Sequence, residues 1–594
     1  MPTLTIDGLT VQAPEGATLL EAARIAGIHI PTLCHLPGVH SPGACRVCLV
    51  EVEGARTLIA SCAAPATEGA RVHTNSQKAR AGRKEVVELL LSEHNEECTT
   101  CPRNEDCELR AISARVGAKH PRYDGDRRPI RFDFSTKGIA RNSGKCVLCR
   151  RCSAVCLNVE SLAAIGPQER GFDTYVGPAF HAPLLDVTCV QCGQCAAVCP
   201  VAAIVERDSV QDVWKAIQDP KMHVVVQTAP AIRAALGEAF DMPVGSRVTG
   251  KMATALRRLG FDAVFDTNFS ADLTIMEEGH ELLARLRGAL ADGPHKEPIP
   301  MFSSCCPAWI QFAEQLAPEF LPNLSSCKSP QQMLGAMIKT YYAEKIGKKP
   351  EEIFVVSIMP CTAKKFECDR AEMCDSGAKD VDVVLTTREL GRMIREAGID
   401  FPNLPDSEMD APLGVSTGAA DIFANSGGVM EAALRTAYVV VTGRPLPATK
   451  LEPVGTIAGG GFLQVSMKLE NVLPDWKFLE GQTLTVGVVH GLWHARKLLD
   501  DIRAGKPAPH FIEVMTCPGG CIGGGGQPRL TTDEIRRARI KAIVEEDESK
   551  EMRQSHVNPG VAKLYEEYLG KPLGERSHHL LHTHYHAWKA ADKG

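Results

Sequence analysis

Twenty-three cysteines lie in this 594-residue chain, and six pairs of them, counting overlaps, stand in C-x-x-C spacing. No other feature restricts the fold so strongly. The N-terminus, Met1-Pro2-Thr3-Leu4-Thr5-Ile6-Asp7, has neither a charged region followed by an apolar run nor a twin arginine, so the expectation is a cytoplasmic protein. Disulfides are disfavoured in that compartment, and dense, regularly spaced cysteines there mean metal or redox chemistry. No run of eighteen apolar residues occurs, so no membrane insertion is expected. A formal charge of -6 without a basic block excludes the electrostatics of a nucleic-acid binder.

A chain of this length exceeds one core, and its cysteines divide it into modules. The first, residues 1–78, opens with short strands at Leu4-Thr5-Ile6 and Leu9-Thr10-Val11 and a helical stretch over Leu19 to Ala26. Cys34, Cys45, Cys48 and Cys62 follow as C-x10-C-x2-C-x13-C. Four thiolates in this arrangement suit a [2Fe-2S] cluster; the spacing departs from the plant ferredoxin pattern and resembles the β-grasp, ferredoxin-like module that begins the large iron–sulfur subunit of respiratory complex I and many iron-only hydrogenases. Zinc is disfavoured, because the long gaps lack the two compact knuckles of a zinc ribbon.

The second module, 79–120, begins with a helix that Ser76 can cap, with Val86, Val87, Leu90 and Leu91 at helical spacing. This helix delivers His94 to Cys98, Cys101 and Cys107, an H-x3-C-x2-C-x5-C set for one [4Fe-4S] cluster. The third, 121–208, starts from an arginine-rich linker and contains an internal repeat. Cys146, Cys149, Cys152 and Cys156 form C-x2-C-x2-C-x3-C, and Cys189, Cys192, Cys195 and Cys199 repeat it, with Pro200 behind. In the bacterial two-cluster pattern the fourth cysteine of each run crosses over, so Cys199 should complete the first cluster and Cys156 the second. The stretch Leu157 to Thr188 is long for such a ferredoxin and predicts an inserted loop or hairpin. Clusters strung along a chain make an electron wire, and a wire needs a terminus that uses electrons.

From 209 to 530 the texture changes to β-rich runs, His223 to Gln227, Ile353 to Ile358, Val381 to Leu385, Leu484 to Val489 and Phe511 to Met515, several followed by helical patterns such as Arg388 to Ala397 and His494 to Ile502. This alternation predicts a two-lobed α/β domain with mostly parallel sheets and ligands where strand ends meet. Three cysteine-bearing segments sit at such ends: Ser303-Ser304-Cys305-Cys306-Pro307, Met359-Pro360-Cys361-Thr362-Ala363-Lys364-Lys365, and Met515-Thr516-Cys517-Pro518-Gly519-Gly520-Cys521, which leads into Gly523 to Gly526. Cys306, Cys361, Cys517 and Cys521 together offer four thiolates for a further cube. Adjacent side chains on an extended segment point to opposite sides, so Cys305 is left for separate work. The glycine run lets backbone approach a bulky cofactor.

These three segments resemble the signature motifs of the iron-only, or [FeFe], hydrogenases, and the N-terminal modules resemble those of the family's long, multi-cluster form. Ser303 stands where threonine is usual. The resemblance implies an enzyme interconverting hydrogen with two protons and two electrons. Its cofactors would be one [2Fe-2S] cluster, three accessory [4Fe-4S] clusters and an active-site [4Fe-4S] cube. That cube would be joined through Cys521 to a di-iron unit with carbonyl, cyanide and a bridging azadithiolate. Cys305 would relay the proton from the bridging amine, a thiol being able to exchange protons near neutrality, and the route would continue through Glu278, Ser325 and Glu281. Glu278 and Glu281 are three apart in a helical stretch and so share a face. By motif position Lys364 would donate to a cyanide, and Met359, Met515, Gln331 and Pro230 would line the pocket; a surface lysine, as expected for Lys365, is the plain alternative for Lys364.

Cys327, Cys368 and Cys374 match no ligand position. Residues 531–594 read as a charged, helical tail, solvated, anchored by aromatics and wrapping the catalytic lobes, with His578, His579, His582, His584 and His586 near its end and metal binding by them as the alternative; it resembles the family's small-subunit segment. An electron-transfer subunit of a complex I-like assembly shares the first two cluster modules but needs neither Cys305 nor the later motifs, and a sensory relative would not need the glutamates. Gly459-Gly460-Gly461 lacks dinucleotide-loop spacing, so the redox partner is expected to be a separate ferredoxin or a flavin-bearing, NAD(P)-linked diaphorase subunit. The family's maturation enzymes would supply the di-iron unit.

Overall fold

The β-rich runs of the last two thirds of the chain form parallel strands buried on both faces, which is why they read as continuous apolar stretches. A computed structural model describes residues 1–118, 122–123, 125, 127–291, 297–446 and 461–588. Gly459 and Gly460 lie outside the described residues. The chain separates into two compact units, one of Met1–Ser135, Ile139–Val187 and Val198–Val205, the other of Thr136–Gly138, Thr188–Ala197 and Glu206–Gly594. No disulfide joins any cysteine among the described residues, and none of their helices is long and apolar enough to cross a membrane.

In the first unit, strands Leu9–Gln12, Thr3–Ile6, Arg71–His73, Leu49–Val52 and Ile59–Ala60 form a sheet in that order. Its first hairpin turns on Asp7 and Gly8, both at positive φ (47° and 87°), the pairing that two-residue hairpin loops favour. Leu4, Ile6 and Val11 point inward onto Leu19, Leu20 and Ala23 of the helix Leu19–Ile25. That helix starts where expected because Thr18 and Glu21 form a reciprocal capping box. The helix Gln77–Glu93 begins at Ser76, whose hydroxyl accepts from the Ala79 N–H at 3.1 Å, and ends on His94. The expected insertion is a hairpin, Gly166–Gln168 with Tyr175–Gly177.

The second unit contains two four-stranded sheets. One, wholly parallel, runs in the order Ala263–Asp266, His223–Thr228, Ile353–Met359, Val383–Thr386. The other runs Met301–Phe302, Phe511–Met515, Thr483–His490, Phe462–Lys468, with only the last pair antiparallel. Pro230 opens a short 3-10 turn, Pro230–Ala234. The helix Thr267–Leu290 packs against Pro330–Met337 and Gly428–Thr442. Most of its residues are buried, including Asp272, Glu277, Glu278, Glu281 and Arg285. Carboxylates at such positions are costly unless paired or protonated, so each requires a reason.

The C-terminal segment corrects one part of the expectation, its solvation. It is not a solvated tail: Val561, Leu564, Tyr565, Leu569, Leu580 and Leu581 join the core around the first sheet, and His582 is 4% exposed. The charge of the segment concealed apolar residues at helical spacing on one face.

Candidate active site

Each of the three cysteine segments leaves the carboxyl end of a parallel strand, the position where open α/β sheets place ligands. Met301–Phe302 leads to Cys305 and Cys306, with Cys306 and Pro307 starting the helix Pro307–Leu316. Ile353–Met359 leads to Cys361, and Phe511–Met515 to Cys517 and Cys521. All five cysteines line one cavity, together with Pro230, Gln331, Met359, Lys364 and Met515. The Ser303 hydroxyl accepts from the Val514 N–H at 3.2 Å and Ser304 donates to the Cys327 carbonyl at 2.6 Å, which fixes the segment carrying Cys305.

Lys364 is buried, not a surface lysine. Its ammonium donates to the Cys305 carbonyl at 3.1 Å and to Glu367 at 2.8 Å. Burial works against its charge, but Glu367 outweighs it and raises the pKa, so Lys364 stays a cation. One oxygen of Glu367 also accepts from Ser329 at 2.9 Å and Gln331 at 3.1 Å, so a single carboxylate holds both Lys364 and Gln331 at the wall. Lys365, expected at the surface, is buried too and pairs with Glu389 at 2.9 Å. The i, i+3 spacing of Lys364 and Glu367 carried this signal in the sequence; the role of Gln331 had none.

The glycine run serves protein backbone as well as the cavity. A Cβ on Gly524 would lie 2.2 Å from the Pro360 carbonyl oxygen, and one on Gly525 would lie 2.1 Å from that of Cys192. The loop carrying Cys189 and Cys192 is thus pressed onto the active-site motifs. Thr362 donates to the Gln191 carbonyl at 2.7 Å and Gln194 to the Gly523 carbonyl at 2.9 Å.

The donor set fits an iron–sulfur cube. Burial, above all, pushes the thiols of Cys361 and Cys521 up to about 12. Bare, they would stay protonated; bound iron supplies the charge that makes such thiols thiolates. Cys305 is also pushed well above its usual value, by burial first and by Glu278 second.

Burial and then Glu281 push Glu278 up to about 8, so it stands as a neutral acid at pH 7. Both its oxygens lack a close hydrogen-bond partner, with Ser325 and the Ser304 backbone approaching only loosely. Ser325 donates to Glu281 at 2.8 Å, and Arg285 pairs with Glu281 at 2.5 Å. These are not the surface glutamates their spacing would ordinarily suggest. Glu513, an isolated charge in an apolar strand, caps the helix Gly428–Thr442 through the Gly427 and Met430 N–H groups at 2.7 and 2.8 Å. Burial raises it to about 7.

The first unit gathers three further donor sets. Cys34 meets Cys45 and Cys62, and Cys48 meets Cys62, at hydrogen-bonding range. His94 lines a small cavity with Cys98, Cys101 and Cys107. Its Nδ1 is buried without a partner, and burial lowers its pKa to about 4, the neutral form a metal requires. Cys146, Cys149, Cys152 and Cys199 line a third cavity, the grouping that a crossed ferredoxin pattern needs. Cys156 lies on the helix Arg151–Asn158 and Cys195 on Gln194–Val198, with Cys189 and Cys192 in the loop before it. Cys327 and Cys368 are buried and Cys374 exposed, and none of the three lines the cavity of the five cysteines.

Comparison with known proteins agrees with this geometry. Residues 222–525 match the iron only hydrogenase large subunit, C-terminal domain, and 533–588 the iron hydrogenase small subunit. Residues 1–77 match a 2Fe-2S iron-sulfur cluster binding domain and 83–122 the NADH-ubiquinone oxidoreductase-G iron-sulfur binding region. The chain is 49% identical to the NADP-reducing hydrogenase subunit HndD of Solidesulfovibrio fructosivorans, over 98% of this chain and 99% of that one. It is 38% identical to iron hydrogenase 1 of Clostridium pasteurianum, over 98% and 100%. A solved structure of the [FeFe]-hydrogenase HydA1 from Chlamydomonas reinhardtii superimposes with a TM-score of 0.58 at 44% identity, covering 64% of this chain and 99% of that one.

Proposed function

This chain belongs to the iron-only, or [FeFe], hydrogenases, and from that membership we propose how its residues divide the work. It is an enzyme of hydrogen oxidation and proton reduction, with electrons relayed through N-terminal iron–sulfur modules. The observation that carries the finer assignment is the convergence of Cys306, Cys361, Cys517 and Cys521 from three strand ends on one cavity beside Cys305. These four would hold a [4Fe-4S] cube, and Cys521 would also be the protein's link to a di-iron unit with carbonyl, cyanide and azadithiolate ligands. When bound, that unit supplies the site where the H–H bond is broken or made and a base for the proton.

The protein does the rest. Lys364, held charged by Glu367, offers its remaining N–H toward the cavity, where an anionic ligand such as cyanide would sit. Met359 and Met515, each 3% exposed, close the pocket with apolar walls and exclude water. Cys305 carries the proton to Glu278, whose raised pKa lets it give and take protons near neutrality. Ser325 and Glu281 pass the proton on. One [2Fe-2S] and three [4Fe-4S] clusters would supply the electron route, and the residues that would hold them are Cys34, Cys45, Cys48 and Cys62; His94, Cys98, Cys101 and Cys107; Cys146, Cys149, Cys152 and Cys199; and Cys156, Cys189, Cys192 and Cys195. The modules are 1–78, 79–120, 121–208, 209–530 and 531–594.

The relative named as an NADP-reducing hydrogenase subunit favours a flavin-bearing, NADP-linked diaphorase subunit as electron partner over a free ferredoxin. A pull-down from native cells should retain a flavoprotein; recovery of the chain alone, with turnover supported by ferredoxin, would reverse that preference. For the reaction, protein matured with the family's maturation enzymes should evolve hydrogen from a reduced viologen dye, and Cys521→Ser should not. Equal evolution by both would refute the assignment of Cys521.

A further inference from the structure

Glu281, at the outer end of the relay proposed above, is only 6% exposed. Arg285, its ion-pair partner, cannot take its proton onward. The guanidinium keeps its charge at any ordinary pH and is engaged by the carbonyls of Leu324, Pro298 and Pro322 at 2.8, 3.3 and 3.2 Å. A second polar group touches the same carboxylate: the N–H of Ser326 donates to both Glu281 oxygens, at 3.2 and 3.1 Å. Ser326 is partly exposed, and its hydroxyl lies 2.8 Å from Nδ1 of His582. Nε2 of His582 lies 3.1 Å from Glu277, a wholly buried carboxylate that also accepts from the Tyr565 hydroxyl and from the Leu573 N–H at 2.8 Å. A ring nitrogen of His582, a Glu281 oxygen and the Cys327 sulfur all lie within 4.8 Å of one another. The Ser326 hydroxyl is bonded to His582 and not to Glu281, which only the Ser326 backbone N–H holds, so a small shift of the carboxylate must complete the bridge between them.

We propose that His582 is the outer proton acceptor of this hydrogenase, oriented by Glu277 and joined to Glu281 through the hydroxyl of Ser326. The inference rests on the relay reading that ends at Glu281. Glu277 fixes the tautomer: it accepts the Nε2–H and leaves Nδ1 as the base, the carboxylate–imidazole–hydroxyl order of a charge-stabilised histidine. In hydrogen oxidation the Glu281 carboxyl gives its proton to the Ser326 oxygen as the Ser326 O–H proton moves to Nδ1. One proton enters, one moves on, and the imidazolium sits between two carboxylates. It then returns a proton through Ser326 to water. Proton reduction runs the same steps backwards.

The charged and titratable groups facing His582 are Glu277 and Glu281 from the long helix, Cys327 from the loop beside it, Tyr565 beyond Glu277, and His578, whose exposed ring stacks on it at 4.7 Å. Histidine, alone among unperturbed side chains, exchanges protons in the range where the enzyme must load and unload them.

The test uses matured full-length protein carrying His582→Ala, Glu277→Gln or Glu281→Gln. His582→Ala should lower dye-linked turnover roughly 100-fold or more with infrared bands of the active site unchanged, and imidazole in the buffer should restore much of the loss. Glu277→Gln should keep the fold and move the neutral limb of the pH profile to lower pH. In protein lacking the two-iron unit, infrared difference spectra with ring-labelled histidine should show His582 protonating at lower pH once Glu277 is Gln. Wild-type turnover in His582→Ala, or a loss that imidazole does not relieve and that tracks a lowered melting temperature, overturns the inference. If Glu281→Gln abolishes turnover while His582→Ala does not, this inference alone fails. If Glu281→Gln keeps full turnover, the relay itself is wrong.

Discussion

The hydroxyl of Thr362 donates to the carbonyl of Gln191 at 2.7 Å, both residues buried. One neighbours Cys361 and the other Cys192, so a single bond ties the cube segment to the loop through which electrons are proposed to arrive. Thr362→Val keeps the shape, removes the bond and leaves a buried carbonyl unpaired, a cost of about 1–3 kcal/mol. The variant should retain its active-site infrared bands and show slower reduction of the active site through the N-terminal clusters, read by stopped-flow. Unaltered electron transfer and melting temperature would deny the bond either role.

Glu278 should couple stability to function through pH. Its folded pKa of about 8 exceeds the unfolded carboxyl value of about 4.3. Between these values the folded protein holds a proton the unfolded chain has lost, so this residue's contribution to stability falls as pH rises through that window. Glu278→Gln removes the penalty. The melting temperature of the variant relative to the parent should therefore climb from about pH 5 to about pH 9, while turnover drops roughly 10²- to 10⁴-fold. A melting difference that does not depend on pH would contradict the neutral-acid state.

His94 is assigned to an accessory cluster by its buried, unpartnered Nδ1 and its cavity shared with Cys98, Cys101 and Cys107. His94→Ala should remove or alter one [4Fe-4S] signal in the electron paramagnetic resonance spectrum of the reduced protein and leave the active-site infrared bands in place. His94→Cys, which supplies another ligand, should restore a cluster with a lower potential. An unchanged set of signals in His94→Ala would remove His94 from the ligands.

Cysteine spacing and strand ends were legible because each is local: Cys306, Cys361, Cys517 and Cys521 stand next to β-rich runs, and the alternation of those runs gives parallel sheets. What sequence could not show is which charged residues are interior. Lys365 reads as a surface lysine because its partner Glu389 lies 24 positions away, and Glu277 reads as one more helical glutamate because its partner is His582, 305 positions on. The depth at which the C-terminal segment is buried was hidden for the same reason. Its histidines and charges suggested solvent, whereas Leu580 and Leu581 carry His582 into the core beside the proton route. The glycine run shows a milder case: its composition implied close approach, but that Pro360 and Cys192 do the approaching is a tertiary fact.

Two adjacent cysteines are proposed to have separate duties at one cavity, Cys306 as a ligand of the cube linked to the di-iron unit and Cys305 as the first group of the proton route. Infrared spectroscopy of the matured protein, run in parallel on Cys305→Ser and on Cys306→Ser, tests this division most directly. Bands of iron-bound carbonyl and cyanide should appear in the parent and persist in Cys305→Ser while its hydrogen turnover is largely lost; in Cys306→Ser they should be lost or altered. Absence of those bands from the parent, or full turnover by Cys305→Ser, would contradict the account.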